Sequence, residues 1–238
     1  MKINRFILIG LILFCKTVLG QRVITVQSGN HVSMHYSLDS AMAHCSNGDQ
    51  IYIPGGVFTI QNFEINKSVM IFGAGHYPDS SIATGETYIM GNVILKTGAS
   101  AGLITGCYIS GDVIVGTGAA GSDSVSNYSI HRCNLNNLYL SPTGTPPTNA
   151  RNFSISENVI RGTALGANAL SLNIAKNILQ GSFGYCTAAI FANNDFIGLG
   201  NCTTMVKFLS GVSSCTFENN IFLYSPPACT GAAFFDSL

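Results

Sequence analysis

"NFSISENVIRG" (residues 152–162) and "LNIAKNILQG" (172–181) carry one pattern, counted from Phe153 and Leu172: apolar, any, apolar, any, any, Asn, any, apolar, any, Gly. Six segments align on the same mark. They are "GLITGCYI" (102–109), "YSIHRCNL" (128–135), "FSISENVI" (153–160), "LNIAKNIL" (172–179), "AIFANNDF" (189–196) and "CTFENNIF" (215–222). The mark falls on Cys107, Cys133, Asn158, Asn177, Asn194 and Asn220, at intervals of 26, 25, 19, 17 and 26 residues. That is the period of a stacked repeat. Two positions after each mark stands an apolar residue: Ile109, Leu135, Ile160, Leu179, Phe196 or Phe222.

Within each repeat the apolar residues alternate over four or five positions and are interrupted by Gly or Asn, which is a strand signal. In several repeats a Gly- or Asn-containing bend follows, and then a second short strand such as "VIV" (113–115) or "LYL" (138–140). No 10–15-residue helix fits between these strands, which argues against a βαβ protein, and the spacing is too uneven for a propeller. The predicted fold is all-β: a right-handed parallel β-helix, a solenoid, with a short N-terminal α-helical cap. Each coil cannot bury its own apolar face, but stacking at about 4.8 Å lets neighbours share a core and pair their backbones. Cys107, Cys133, Asn158, Asn177, Asn194 and Asn220 would then pile into an inward ladder. Its amides would satisfy polar groups that otherwise cost about 1–3 kcal/mol each when buried.

Ahead of the repeats, "VITV" (23–26) reads as a strand and "YSLDSAMAHC" (36–45) as a short helix with Leu38, Ala41, Met42 and Cys45 on one face. "NGDQIYIPGGVFTI" (47–60) turns into the first coil and "KSVMIFGAG" (67–75) into the second. An amphipathic helix, a "GD" turn, an apolar strand and "PGGVF" together resemble the start of many proteins of the pectin-lyase-like superfamily, and the resemblance extends over nearly all of the chain after residue 20. It implies the β-helix more strongly than any activity.

Composition bounds the rest. The chain has 238 residues, 9% of them charged, with 26 glycines and no tryptophan: too apolar for disorder and too poor in helix formers for a helical protein. Residues 1–20 resemble an export signal, with Lys2 and Arg5 before "FILIGLILF" and small residues Val18 and Gly20 before the cleavage point. The expected organisation is a signal at 1–20, a strand and helical cap at 21–50, and coils at 51–238 with a missing or atypical C-terminal cap. Cleavage leaves 8 basic against 11 acidic residues, so neither nucleic acid nor anionic lipid is an expected partner. No membrane span is expected after cleavage, and the protein should be extracellular, on the cell surface or periplasmic. Seven cysteines remain, an odd number, without a CxxC pair. Stacking would place Cys186 beside Cys202 as a candidate disulfide.

The residue before each mark faces outward in this register. Arg132, Glu157 and Lys176 would lie one above another as a surface ladder of alternating charge, structural first and a polysaccharide contact second. The superfamily's lyases imply clustered acidic calcium ligands beside a basic residue, and its hydrolases paired aspartates. Here Asp79, Asp112, Asp123 and Asp195 are dispersed, and only Asp112 near Arg132 keeps a version of that chemistry open. No cofactor or metal is expected, and calcium enters only with the lyase alternative. "HVSMH" (31–35) reads as a solvated loop beside the cap rather than as a metal site, and Ser100 in "GASAG" as a chance match to a nucleophile elbow. The expected function is an exported, non-catalytic repeat protein that binds a polysaccharide or a cell-surface protein, or has a structural role there. The alternative is a polysaccharide lyase or glycoside hydrolase with an unassigned catalytic residue.

Overall fold

The structure, a computed structural model, describes residues 22–76, 85–116, 123–141, 150–166, 169, 171–181, 183–186, 188–199, 206–208, 214–225 and 235–237. The expected export signal lies outside the described residues, as do Asp79, Cys202 and Cys229. The described chain is mostly β, with one short helix and two sheets in which parallel pairing dominates.

The first sheet has ten strands: β1 (Ile24–Ser28), β2 (His31–His35), β3 (Gln50–Ile53), β5 (Met70–Gly73), β7 (Leu103–Thr105), β9 (Ser129–His131), β11 (Ser154–Ser156), β14 (Leu172–Ala175), β17 (Ala188–Ala192) and β20 (Ser214–Glu218). The second has twelve. Four long ones stand first in the chain: β4 (Gly56–Ile65), β6 (Thr87–Leu95), β8 (Cys107–Val115) and β10 (Asn134–Ser141). At β10 this sheet divides. The first half of β10 pairs with β12 (Val159–Ile160), leading on to β15 (Ile178–Leu179), β18 (Asp195–Leu199) and β21 (Ile221–Ser225). Its second half pairs with β13 (Ala164–Gly166), leading on to β16 (Phe183–Cys186), β19 (Val206–Phe208) and β22 (Phe235–Ser237).

Register follows the sequence repeat. Ile51, Ile71, Ile104, Ile130, Ile155, Ile174, Phe191 and Phe217 are successive Cα partners across the first sheet. Ile89, Ile109, Leu135, Ile160, Leu179, Phe196 and Phe222 form the matching row in the second. Nearly all of these side chains are buried, each contributing about 1.5–3 kcal/mol from burial before ordering entropy is charged against it. Like side chains meet in such rows: Phe191 stacks on Phe217 at 4.6 Å and Phe196 on Phe222 at 4.7 Å. Gly102 is required where Tyr128 lies across the interior, since a Cβ there would come within 2.7 Å of the Tyr128 ring.

The inward ladder is present. The Oδ1 atoms of Asn158, Asn177, Asn194 and Asn220 accept from the backbone N–H of Cys133, Asn158, Asn177 and Asn194 respectively, each at 2.9 Å. Each side-chain amide donates to a strand carbonyl of the preceding repeat: Asn158 to Ile130 O (2.9 Å), Asn177 to Ile155 O, Asn194 to Ile174 O and Asn220 to Phe191 O (2.8 Å each). Asn158, Asn177 and Asn194 are almost wholly buried, and Nδ2 of each also reaches the Oδ1 of the next asparagine at 2.9–3.0 Å. Cys107 and Cys133 continue the column as buried thiols.

A second polar ladder runs along the bends of β4, β6, β8 and β10. Asn92 Nδ2 donates to Asn62 Oδ1 (3.1 Å), and Asp112 N to Asn92 Oδ1 (3.0 Å). Asn137 Nδ2 then donates to Asp112 Oδ1 (2.8 Å), and Thr163 N to Asn137 Oδ1 (2.8 Å).

The N-terminal cap has the expected helix, α1 (Leu38–His44), started by Ser37, whose hydroxyl accepts from Ser40 N. Leu38, Ala41 and Met42 are its buried face. Its C-terminus is closed by Lys67, whose Nζ donates to the carbonyls of Met42 (2.8 Å), Ala43 (3.1 Å) and Cys45 (2.7 Å). One expectation fails here. Residues 31–35 are not a solvated loop but strand β2, paired antiparallel with β1 through the two-residue turn Gly29–Asn30. The positive φ of Gly29 (57°) suits such a hairpin turn.

Replacing Asn177 with Leu removes the acceptor for Asn158 N and the donor to Ile155 O in a dry interior. The expected loss is about 2–4 kcal/mol, read from urea or thermal unfolding. Unchanged stability would mean that the ladder carries no load.

Candidate functional site

The residue before each ladder position is in the left-handed region: Gly106 (φ 71°), Arg132 (47°), Glu157 (57°), Lys176 (57°), Asn193 (55°) and Asn219 (52°). This turn brings the next residue inward, and its backbone is bonded along the column. Arg132 N donates to Ser156 O, Glu157 N to Ala175 O, and Lys176 N to Ala192 O, at 3.0–3.1 Å. Gly and Asn are the residues that accept this conformation most readily, whereas other L-residues pay about 1–2 kcal/mol for it. The column keeps Gly or Asn at three positions and departs from them at Arg132, Glu157 and Lys176. A Cβ at Gly106 would come within 2.8 Å of Gly73 O, so that position also needs glycine for space.

These three charged residues line a groove of about 570 Å³, together with Val159, Ile178, Thr105, Gly106 and residues 73–76. Arg132 and Glu157 are joined by a 2.8 Å charge-assisted hydrogen bond from Nε to Oε2. His131 Nε2 lies 3.3 Å from the same oxygen, close enough for charge attraction when protonated but not in hydrogen-bonding geometry. Glu157 is held below the usual carboxylate range, first by the Arg132 hydrogen bond, then by the charges of Arg132, His131 and Lys176. Lys176 makes no ion pair within 4 Å among the described residues. His76 is buried, and desolvation holds it below its ordinary value against the raising effects of the Arg132 backbone and Glu86. Arg132, Glu157 and Lys176 thus stand at neighbouring turns of this groove, with His76 lining it and His131 beside Glu157. His131 was open to prediction from the register, being two residues before Cys133. Nothing in the sequence placed His76 at this groove.

Other predicted centres resolve differently. Asp112 does not approach Arg132 as a pair: its carboxylate accepts from Asn137 Nδ2 (2.8 Å) and Asn136 Nδ2 (3.4 Å), and Arg132 is taken by Glu157. Asp123 accepts from Thr97 N (2.9 Å) and Thr97 Oγ1 (3.0 Å) in a turn. Ser100 accepts from Ser126 N (3.0 Å) in another, with no helix following it. In the cap, His35 rather than His31 is buried. Its ring bonds Ser33 Oγ (2.9 Å) and Ser40 Oγ (3.0 Å) and lies 5.0 Å from the His44 ring. No group of three metal-ligating side chains occurs among the described residues. Cys133 is pushed up to about 12 by burial, and burial also raises Cys107 well above its usual value, which leaves both as unreactive thiols. The candidate Cys186–Cys202 disulfide lies outside the described residues through Cys202. No helix among the described residues is long and apolar enough to cross a membrane.

Comparison of the chain with family models, curated proteins and solved structures found no match. The reading of the groove therefore stands on its own geometry.

The Glu157 carboxyl should titrate below the ordinary glutamate value of about 4.3 by carboxyl NMR, and Arg132→Ala should raise that midpoint. With a depressed carboxylate the sign is fixed: the Arg132–Glu157 pair holds at neutral pH and is lost as pH falls through that low midpoint. A second test concerns the backbone. Lys176→Asn puts a left-handed-tolerant residue into the turn and should stabilise the protein by up to about 1 kcal/mol in urea unfolding.

Proposed function

We propose that the chain is a right-handed parallel β-helix of the pectin-lyase-like kind, exported, and that its charged turn column forms a glycan-binding groove without catalytic activity. Three features support the architecture: strand segments recurring in both sheets along the repeats, in-register parallel pairing between repeats, and the inward asparagine ladder. The observation that carries the function is the left-handed column. Charged residues occupy strained positions at three successive repeats, where Gly or Asn would be easier, and all three line one groove. Strain held at a surface cluster is a ground for a functional hypothesis.

The lining suits a sugar chain. Val159 and Ile178 offer an apolar wall for the C–H face of a ring, while Lys176, Arg132, Glu157 and His76 offer polar groups for hydroxyls. Binding is favoured over turnover because, among the described residues, Glu157 is the one carboxylate lining the groove and is kept ionised by Arg132. Glycoside hydrolysis takes a pair of carboxyl groups, one of them protonated. Of the basic residues lining the groove, Arg132 is committed to that ion pair, and Lys176 is the one a lyase reading would take as base.

Incubation with neutral and acidic polysaccharides, with and without calcium, should release neither unsaturated nor reducing ends. Glycan-array binding should be present and should fall at least about tenfold in Lys176→Ala with Arg132→Ala, with the fold unchanged by circular dichroism. Release of new ends would replace this reading with the lyase or hydrolase alternative.

A further inference from the structure

Strand β2 ends the ten-stranded sheet, and no other strand pairs with its outer edge among the described residues. Its backbone N–H and C=O groups along that edge are a template for one more strand. Natural edges are normally guarded by charge or proline. Here there is neither Lys, Arg, Asp, Glu nor Pro anywhere from Val23 to Leu38. Val32 (61% exposed), Met34 (68%) and Tyr36 (65%) alternate along the edge and project on its outer face. On that face the row from Met34 runs through Thr25 to Tyr52, which stacks on Phe72 at 5.2 Å.

The sequence of the edge selects its partner. His31-Val32-Ser33-Met34-His35 reads in the same chemical order from either end: His, apolar, Ser, apolar, His. Antiparallel pairing of two such strands about Ser33 sets Val32 against Met34 of the other copy twice, Ser33 against Ser33, and His31 against His35. A two-fold interface requires this self-complementarity, and an unrelated strand would have no reason to match it. We infer that β2 is a homodimerisation edge at which two copies of this chain join their ten-stranded sheets into one continuous sheet. This inference is independent of the groove, which lies on the column of turns beyond the sheet's other strands.

Analytical ultracentrifugation of the purified protein from about 1 to 100 µM should show the dimer mass. Val32→Lys combined with Met34→Lys places like charges opposite each other across the two-fold axis while leaving the exposed positions of the monomer undisturbed. It should weaken association at least about tenfold at an unchanged melting temperature. Independently, Ser33→Cys should form an intermolecular disulfide under mild oxidation, identified by mass spectrometry of the linked peptide, whereas Thr216→Cys, exposed at the far end of the same sheet, should not. A monomer throughout the concentration range overturns the inference. So does a dimer indifferent to the double substitution, or Ser33→Cys cross-linking no better than the Thr216→Cys control.

Discussion

The bond from an asparagine carboxamide to the backbone of the repeat before it is the constraint on which the structure turns. Asn158, Asn177, Asn194 and Asn220 each tie two repeats together at one atom-level register. For the side chain to point inward, the preceding residue must turn left-handed. Once it does, the following strand leaves at a fixed angle and its apolar residue lands on the row of Ile160, Leu179 and Phe196. Register, turn and core are thus one decision made repeatedly. Where the amide gives way to Cys107 and Cys133, the column stays small and buried, but side-chain bonding between repeats passes to the second ladder of Asn62, Asn92, Asp112 and Asn137. The two ladders together reach from β4 to β21.

The same constraint explains the candidate site. An inward ladder forces its preceding residues outward in a single file, so any charge placed there is lined up with its neighbours at strand spacing. Arg132 and Glu157 meet at 2.8 Å because adjacent strands bring them there, without a dedicated loop. A file of outward turns is therefore a cheap place to build an extended surface, and three of its positions carry charged residues where Gly or Asn would be easier.

Much of this was legible in the chain itself. The Asn marks and the apolar residue two positions later gave the stacking register, because both depend on side-chain identity at an exact period. The outward file Arg132, Glu157, Lys176 followed from that register. What was missed has local reasons. Arg, Glu and Lys carry no left-handed signal of their own, so only Gly106, Asn193 and Asn219 hinted at the turn. Strand β2 leaves a weak trace because its alternation has no strongly apolar run, although Gly29–Asn30 between "VQS" and "HVSMH" is a hairpin signal. Asp112 invited a catalytic reading because carboxylates usually do. Its neighbours at the bend, Asn136 and Asn137, make it a rung instead. His76 reaches the groove from a separate loop, a tertiary contact with no periodic trace.

The ladder also has a direction. In every rung the carboxamide accepts from the repeat before it, and its amide donates to a carbonyl of that same earlier repeat. Each side chain is seated on the backbone of the repeat before it, and the following rung adds the bond from its Nδ2 to the next Oδ1. A polypeptide is always made from its N-terminus, so each newly emerged asparagine would latch the repeat just completed and present a fresh backbone N–H to the next. Growth of this kind is a ratchet, in which the cap is the first surface and every later rung is added to a finished one.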